Sequence, residues 1–218
     1  MTATAEKIPN HLLPAQHPIL QTRTIEVLIE DLDPLMPLVD KHRANLVRMM
    51  ASALPFASTD ALGRPGLNRV QLEVHDEKSI MLMATDGHTA IALAVEFFEL
   101  HGLGAGCVGL TRDSVVGFIK SKGYSPLAAC DPSETFPWLR NVITPTDAPY
   151  AGVFAVNASY FARNSTAMSK LGYSKGRPMR IECGETNLSP ILMTAHPLVM
   201  RDGPSVKLMT VTMPVRME

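Results

Sequence analysis

The pattern of apolar and polar positions along the chain describes one unit that occurs twice. Thr24–Glu30 alternates apolar and polar residues, the period of a half-buried strand. Asp31 and Asp33 are N-cap candidates, and Pro34 suits a first helical turn. Leu35, Leu38, Val39, His42 and Leu46 then fall at helical spacing. Gly63, Pro65 and Gly66 mark a loop. Val70–Val74 alternates, Asp76–Lys78 turns the chain, Ser79–Ala84 follows and His88–Val95 closes the set. The order then returns. Gly152–Val156 reads as a strand, Asn157 or Ser159 caps a helix over Tyr160–Leu171, Met179–Cys183 alternates, Pro190–Met193 is a short strand and Val206–Val215 is the last. A repeat of this kind fixes the architecture before any motif does. One unit exposes an apolar sheet face, and two units side by side share a core.

The stretch 106–145 is a reduced version of the same pattern. Cys107–Thr111 predicts a strand and Arg112–Lys120 a helix, with Asp113 or Ser114 near its start. A loop with Pro126 and Pro132 leads to Phe136–Ile143. Met1–Thr22 carries Pro9, Pro14 and Pro18 and reads as an extended arm. At the other end an apolar strand runs into Pro214, which has no N–H to donate, so pairing on that side stops there. A terminus this rich in Met and Val is expected to be tied down, with its tip lining a surface. The expected organisation is an arm at 1–22, a half-domain at 23–97, a reduced segment at 98–150 and a second half-domain at 151–218. The class is α+β, with antiparallel sheets and helices on one face.

Composition narrows the function without naming it. The 218 residues are 46% apolar and 19% charged, with a formal net charge of -1 and a pI near 6.7. That is ordinary globular composition with no basic excess to advertise nucleic acid. A local basic face matters more than the sum. Three cysteines, Cys107, Cys130 and Cys183, lie far apart and suit a reducing cytoplasm better than a disulfide framework. No apolar run reaches the roughly 18 residues of a membrane span, and the N-terminus lacks a signal pattern. The thirteen methionines read chiefly as core filler. Catalytic patterns are missing: the seven histidines show no HxH or HExxH spacing, and no CxxC pair, phosphate loop or GxGxxG occurs. Gly102–Gly106 is a link without the flanking strand and helix of a nucleotide loop. Asp86, His88 and Cys107 are the one set from which a thiol hydrolase could be built, although no elbow surrounds Cys107. No enzymatic activity, metal or cofactor is therefore expected.

Five segments, in order, resemble the bacterial sliding clamp, the beta subunit of DNA polymerase III. They are Ala84–Ala90, Thr135–Ile143, Phe154–Tyr160, Leu188–Met193 and Met213–Met217. Two departures stand out. The arginine that the clamp segment has after its histidine is Thr89 here, and Glu218 extends the usual ending. A clamp chain also has three domains, and this chain has material for about one and a half. The resemblance implies a groove that takes short linear motifs from DNA polymerase, clamp loader and repair proteins. Carried over by motif, its residues are Thr85, Gly87, His88, Pro137, Val142, Asn157, Tyr160, Pro190, Val211, Met213, Pro214, Val215 and Arg216. Val, Met and Pro walls suit leucine or phenylalanine anchors. His88, Asn157, Tyr160 and Arg216 suit a peptide backbone or a glutamine side chain. The resemblance further implies a homo-oligomeric processivity factor whose helices face double-stranded DNA without sequence preference, through Lys41, Arg43, Arg48, Arg112, Lys120, Lys122, Arg163 and Lys170. Two rivals remain open: a non-ring adaptor or decoy that competes for clamp-binding peptides, and the small cytosolic thiol hydrolase.

Overall fold

The computed structural model describes residues 37–60, 63–76, 79–96, 106–131, 136, 137, 139, 157–174, 177, 179–183, 190–200 and 205–213. Helix α1 (Pro37–Ala53) runs into a 3₁₀ turn at Leu54–Phe56, and a second 3₁₀ turn at Pro65–Leu67 leads into the sheet. Three strands follow, β1 (Arg69–Asp76), β2 (Ser79–Thr85) and β3 (Thr89–Glu96), then β4 (Gly106–Thr111) and α2 (Arg112–Lys120). The last part holds α3 (Ala158–Leu171), β5 (Met179–Cys183), β6 (Ile191–Ala195), β7 (Leu198–Val199) and β8 (Ser205–Thr212). The arm, the leading strands expected at Thr24–Glu30 and Gly152–Val156, and the caps expected at Asp31 and Asp33 lie outside the described residues.

All the described strands form one sheet in the order β4-β1-β2-β3-β8-β6-β5, with β7 paired to β8. The order is mirrored about its centre. β1, β2 and β3 step inward from one side, and β5, β6 and β8 step inward from the other. The seam is an antiparallel ladder that runs from Thr89↔Thr212 to Glu96↔Ser205. Helices follow the same symmetry. α1 buries Leu46, Met49, Met50 and Ala53, while α3 buries Asn164, Ala167, Met168 and Leu171. Both sets have i, i+3, i+4, i+7 spacing, one buried stripe per helix, apolar except for Asn164. Ser52 Oγ donates to the Ala167 carbonyl at 3.2 Å and Lys170 Nζ to that of Ala51 at 3.0 Å, so the two helices lie side by side.

The main core lies between these helices and the sheet and includes Phe56, Val70, Leu72, Ile80, Leu82, Ile91, Leu93, Leu110, Phe118 and Leu208. A smaller cluster covers the opposite face: Met81, Met83, Ala90, Ala92, Leu139, Leu192, Met209 and Val211, with Phe136 against it. β2 is therefore buried along its whole length. Methionine fills both layers, as expected of an unbranched side chain in irregular gaps. β4 docks on β1 from Arg69↔Thr111 to Val74↔Gly106. Its outer side is covered by the return of the chain, through Thr111 N–H to Ala128 O at 2.9 Å and Cys130 N–H to Gly109 O at 2.8 Å.

Candidate functional site

The β2–β3 connection is built on Asp86. Its Oδ1 accepts the N–H groups of His88 at 2.9 Å and Thr89 at 2.8 Å and the Thr89 hydroxyl at 3.2 Å. Thr85 Oγ1 donates to the Thr89 carbonyl at 2.8 Å and accepts the Gly87 N–H at 3.0 Å. Gly87 sits at φ +90, where a side chain is strained. A Cβ there would also lie 2.9 Å from Arg64 Nη1 and 3.4 Å from Leu67 Cδ1, so these two side chains stand against the turn.

The end of β8 meets this turn. The Met213 N–H donates to the His88 carbonyl at 2.9 Å, continuing the seam one step past Thr212. Helix α3 meets it from the other side. Arg163 Nη1 pairs with Asp86 Oδ2 and donates to Thr89 Oγ1 at 3.1 Å. The Arg163 guanidinium also lies 5.6 Å from the centre of the Tyr160 ring. Asn157 caps α3, its Oδ1 accepting the Ser159 N–H at 3.0 Å. Burial alone would raise the Asp86 pKa. The Arg163 hydrogen bond, the Thr89 and His88 amides and the Arg163 charge together outweigh it and hold the carboxyl below its ordinary value.

Cross-strand pairing sets the floor. Thr85, Ala90, Val211 and Leu192 are successive partners across β2, β3, β8 and β6, on the face away from the helices. Leu139 and Phe136 pack over this cluster and bury Ala90 and Val211. Pro137 is exposed beside them. His88, Gly87 and Met213 form the exposed rim. Pro190 precedes Ile191, the β6 partner of Thr212.

Most of the residues expected in the groove thus come to one end of the sheet, with Asn157 and Tyr160 on the helix side and Thr85 and Val211 on the far face. Val142, Pro214, Val215 and Arg216 lie outside the described residues. Ala90, Leu139, Arg64, Leu67 and Asp86 belong to this end and were not anticipated. Asp86, Ala90 and Leu139 fall inside the clamp-like segments Ala84–Ala90 and Thr135–Ile143, whereas nothing in the sequence marks Arg64 or Leu67.

The cations expected to face DNA fare differently. Arg43 is buried, with its stem against Gly123 and its guanidinium 4.3 Å from the Tyr124 ring centre. It is not on an open face. Arg112 Nη1 donates to the Leu54 carbonyl at 2.8 Å and to that of Ala57 at 3.3 Å, closing the end of the α1 segment. Lys170 and Arg163 have the partners given above. Arg48, Lys120 and Lys122 are exposed, and the Lys41 side chain is outside the described set.

The thiol arrangement does not assemble. Cys107 shares a row with Glu73, Met81 and Ala94, while the Asp86–His88 turn lies beyond the Thr85–Ala90 row, two strands away from β4. Among the described residues no three His, Cys, Asp or Glu side chains are grouped to hold a metal, and no helix is long and apolar enough to cross a membrane.

A mirrored antiparallel sheet with paired helices on one face is the fold of the DNA sliding clamps. Solved structures carry the comparison. The DNA polymerase III beta subunit of Thermotoga maritima superposes with a TM-score of 0.55 over 81% of this chain and 64% of its own, at 14% identity. The beta subunit of Pseudomonas aeruginosa gives 0.56 over 81% and 65%, at 13% identity. That of Streptococcus pyogenes gives 0.52 over 98% and 69%, at 11% identity. The chain spans less than two thirds of the first two clamps. No protein-family model matches the sequence, and no curated protein matches it significantly.

Proposed function

We propose that the His88–Met213 end of the sheet is a docking groove for short linear motifs of DNA replication and repair proteins. The chain then works as a clamp-like docking platform, a binding protein rather than an enzyme, in the cytoplasm. The observation that carries this reading is the Met213 N–H to His88 O bond. It joins two segments, remote in sequence, that each resemble the clamp at its peptide groove. The exposed rim at Gly87, His88 and Met213 is where leucine or phenylalanine anchors would meet the chain, backed by the buried Thr85–Ala90–Val211–Leu192 row, and a few such anchors dominate the affinity of sites of this kind. The half-domain boundaries at 23–97 and 151–218 and the groove positions Val142, Pro214, Val215 and Arg216 belong to the same proposal.

The second reading, an adaptor that competes for clamp-binding peptides without encircling DNA, is favoured by the helix cations. Arg43, Arg112, Arg163 and Lys170 all engage groups within the chain. Among the described cations of that set, Arg48, Lys120 and Lys122 are left for phosphates. The test is fluorescence polarisation of a labelled glutamine–leucine–phenylalanine type peptide. The wild-type chain is expected to bind, and Gly87→Trp, which fills the rim, is expected to bind at least about tenfold more weakly, the loss of one anchor contact. Equal affinity of a folded Gly87→Trp chain would place the peptide elsewhere.

A further inference from the structure

Where the clamp-like segment has an arginine after its histidine, this chain has Thr89, buried and bonded to Asp86. A guanidinium meets Asp86 from α3. Arg163 Nη1 reaches both Asp86 Oδ2 and Thr89 Oγ1, across 77 and 74 residues of sequence. The other oxygen of the same carboxylate receives the His88 and Thr89 amides, and the carbonyl of His88 receives Met213 N–H. One carboxylate therefore ties a turn to a helix, and that turn holds the end of the last strand.

We propose that Asp86 and Arg163 form a positioning pair that sets the His88 turn and the Met213 end of β8 for the incoming peptide. The helix supplies the guanidinium that the strand lacks at residue 89. The pair acts through His88 and Met213, and its side chains are mostly covered, 34% exposed for Arg163 and 16% for Asp86. Its consequence for peptide binding rests on the groove reading above, whereas its hold on the turn does not.

The test is amide hydrogen exchange beside peptide affinity. In Arg163→Gln the Met213 amide is expected to exchange about tenfold faster or more, while Leu93 and Leu208 in the seam keep their protection, because the loss is a local opening. Peptide affinity is expected to fall by about tenfold, the scale of one charge-assisted contact. Arg163→Lys, which keeps the charge but reaches one acceptor at a time, is expected to fall between. The double variant Thr89→Arg with Arg163→Thr, which moves the guanidinium to the strand, is expected to recover most of both readouts. Should Arg163→Gln lose its fold, Asp86→Asn keeps the Oδ1 acceptor, removes the ion pair and carries the same expectation. Unchanged Met213 exchange in a folded Arg163→Gln chain would overturn the positioning role. Faster Met213 exchange in Arg163→Gln, in a protein whose wild-type form binds no peptide, would leave the latch standing and overturn the groove.

Discussion

Asp86 is the residue through which the β2–β3 turn, helix α3 and the end of β8 are joined. The Asp86–Gly87 pair is legible as a turn, and Gly87 at φ +90 fits it. The Arg163 partner is not legible, because nothing near position 163 reports a carboxylate 77 residues away. A helix arginine reads as a solvated or phosphate-facing cation until the turn it meets is placed. The same holds for Arg43, whose burial over Tyr124 depends on how the α2 end returns to α1. The depressed Asp86 pKa has a sign that can be checked. Its stabilisation is fully present above the ordinary carboxylate value of 3.8 and is lost as pH falls through the lower folded value. The wild-type chain should therefore lose stability on acidification below about pH 4 more steeply than Asp86→Asn, in urea titrations across that range. Tyr173 gives the opposite limb. Burial pushes its phenol up to about 12, against opposing effects of Arg177 and a backbone hydrogen bond, while its hydroxyl donates to the His196 carbonyl at 2.9 Å. Stability carried by the neutral phenol is present below pH 10 and falls as pH rises towards 12. Tyr173→Phe should cost about 1 kcal/mol at neutral pH and flatten that alkaline limb. Thr210 is a contrary case, fully buried with no hydrogen-bond partner for its hydroxyl among the described residues. Thr210→Val keeps the shape and should raise stability by about 1 kcal/mol, read from the urea midpoint.

At the scale of elements, pattern and turn chemistry carried most of the placement. Strands at Cys107–Thr111 and Met179–Cys183 fall close to where alternation predicts them, and Arg112–Lys120 is a helix. Its cap is Thr111, whose Oγ1 accepts the Ser114 N–H at 3.3 Å, because the last strand residue already has the extended backbone a cap needs. α1 continues to Ala53, well beyond Leu46, since Met49, Met50 and Ala53 extend the same stripe. β8 is paired from Ser205 to Thr212, and the short β7 has too few residues for any periodicity. The layer that covers the second face of β2, at Phe136 and Leu139, was not legible, because it comes from a remote segment. α3 ends at Gly172, which has φ +97, and a Cβ there would meet nothing within 4 Å. The cost of a side chain is then backbone strain alone. Gly172→Ala should lower the stability by about 1 kcal/mol, and Gly172→Asn by less, in thermal or urea unfolding.

For the whole molecule, the repeat in the sequence becomes the mirrored sheet, and the seam between β3 and β8 carries the candidate groove at one end. The joining of the two sets through their last strands was not legible, since neither strand says which edge it will meet. A formal net charge of -1 gives little long-range steering to DNA. Binding to duplex DNA should be weak, indifferent to sequence and abolished by moderate salt in a mobility or anisotropy titration, with few phosphates contacted. The mass in solution distinguishes an assembly large enough to surround a duplex from an adaptor. Nitrogen-15 NMR locates the groove residue by residue. A leucine–phenylalanine clamp-type peptide, added to high micromolar concentration, should shift the amides of Gly87, His88, Tyr160 and Met213 and leave those of β4 and β5 in place. Shifts confined to the outer strands, or none at all from a folded chain, would contradict it.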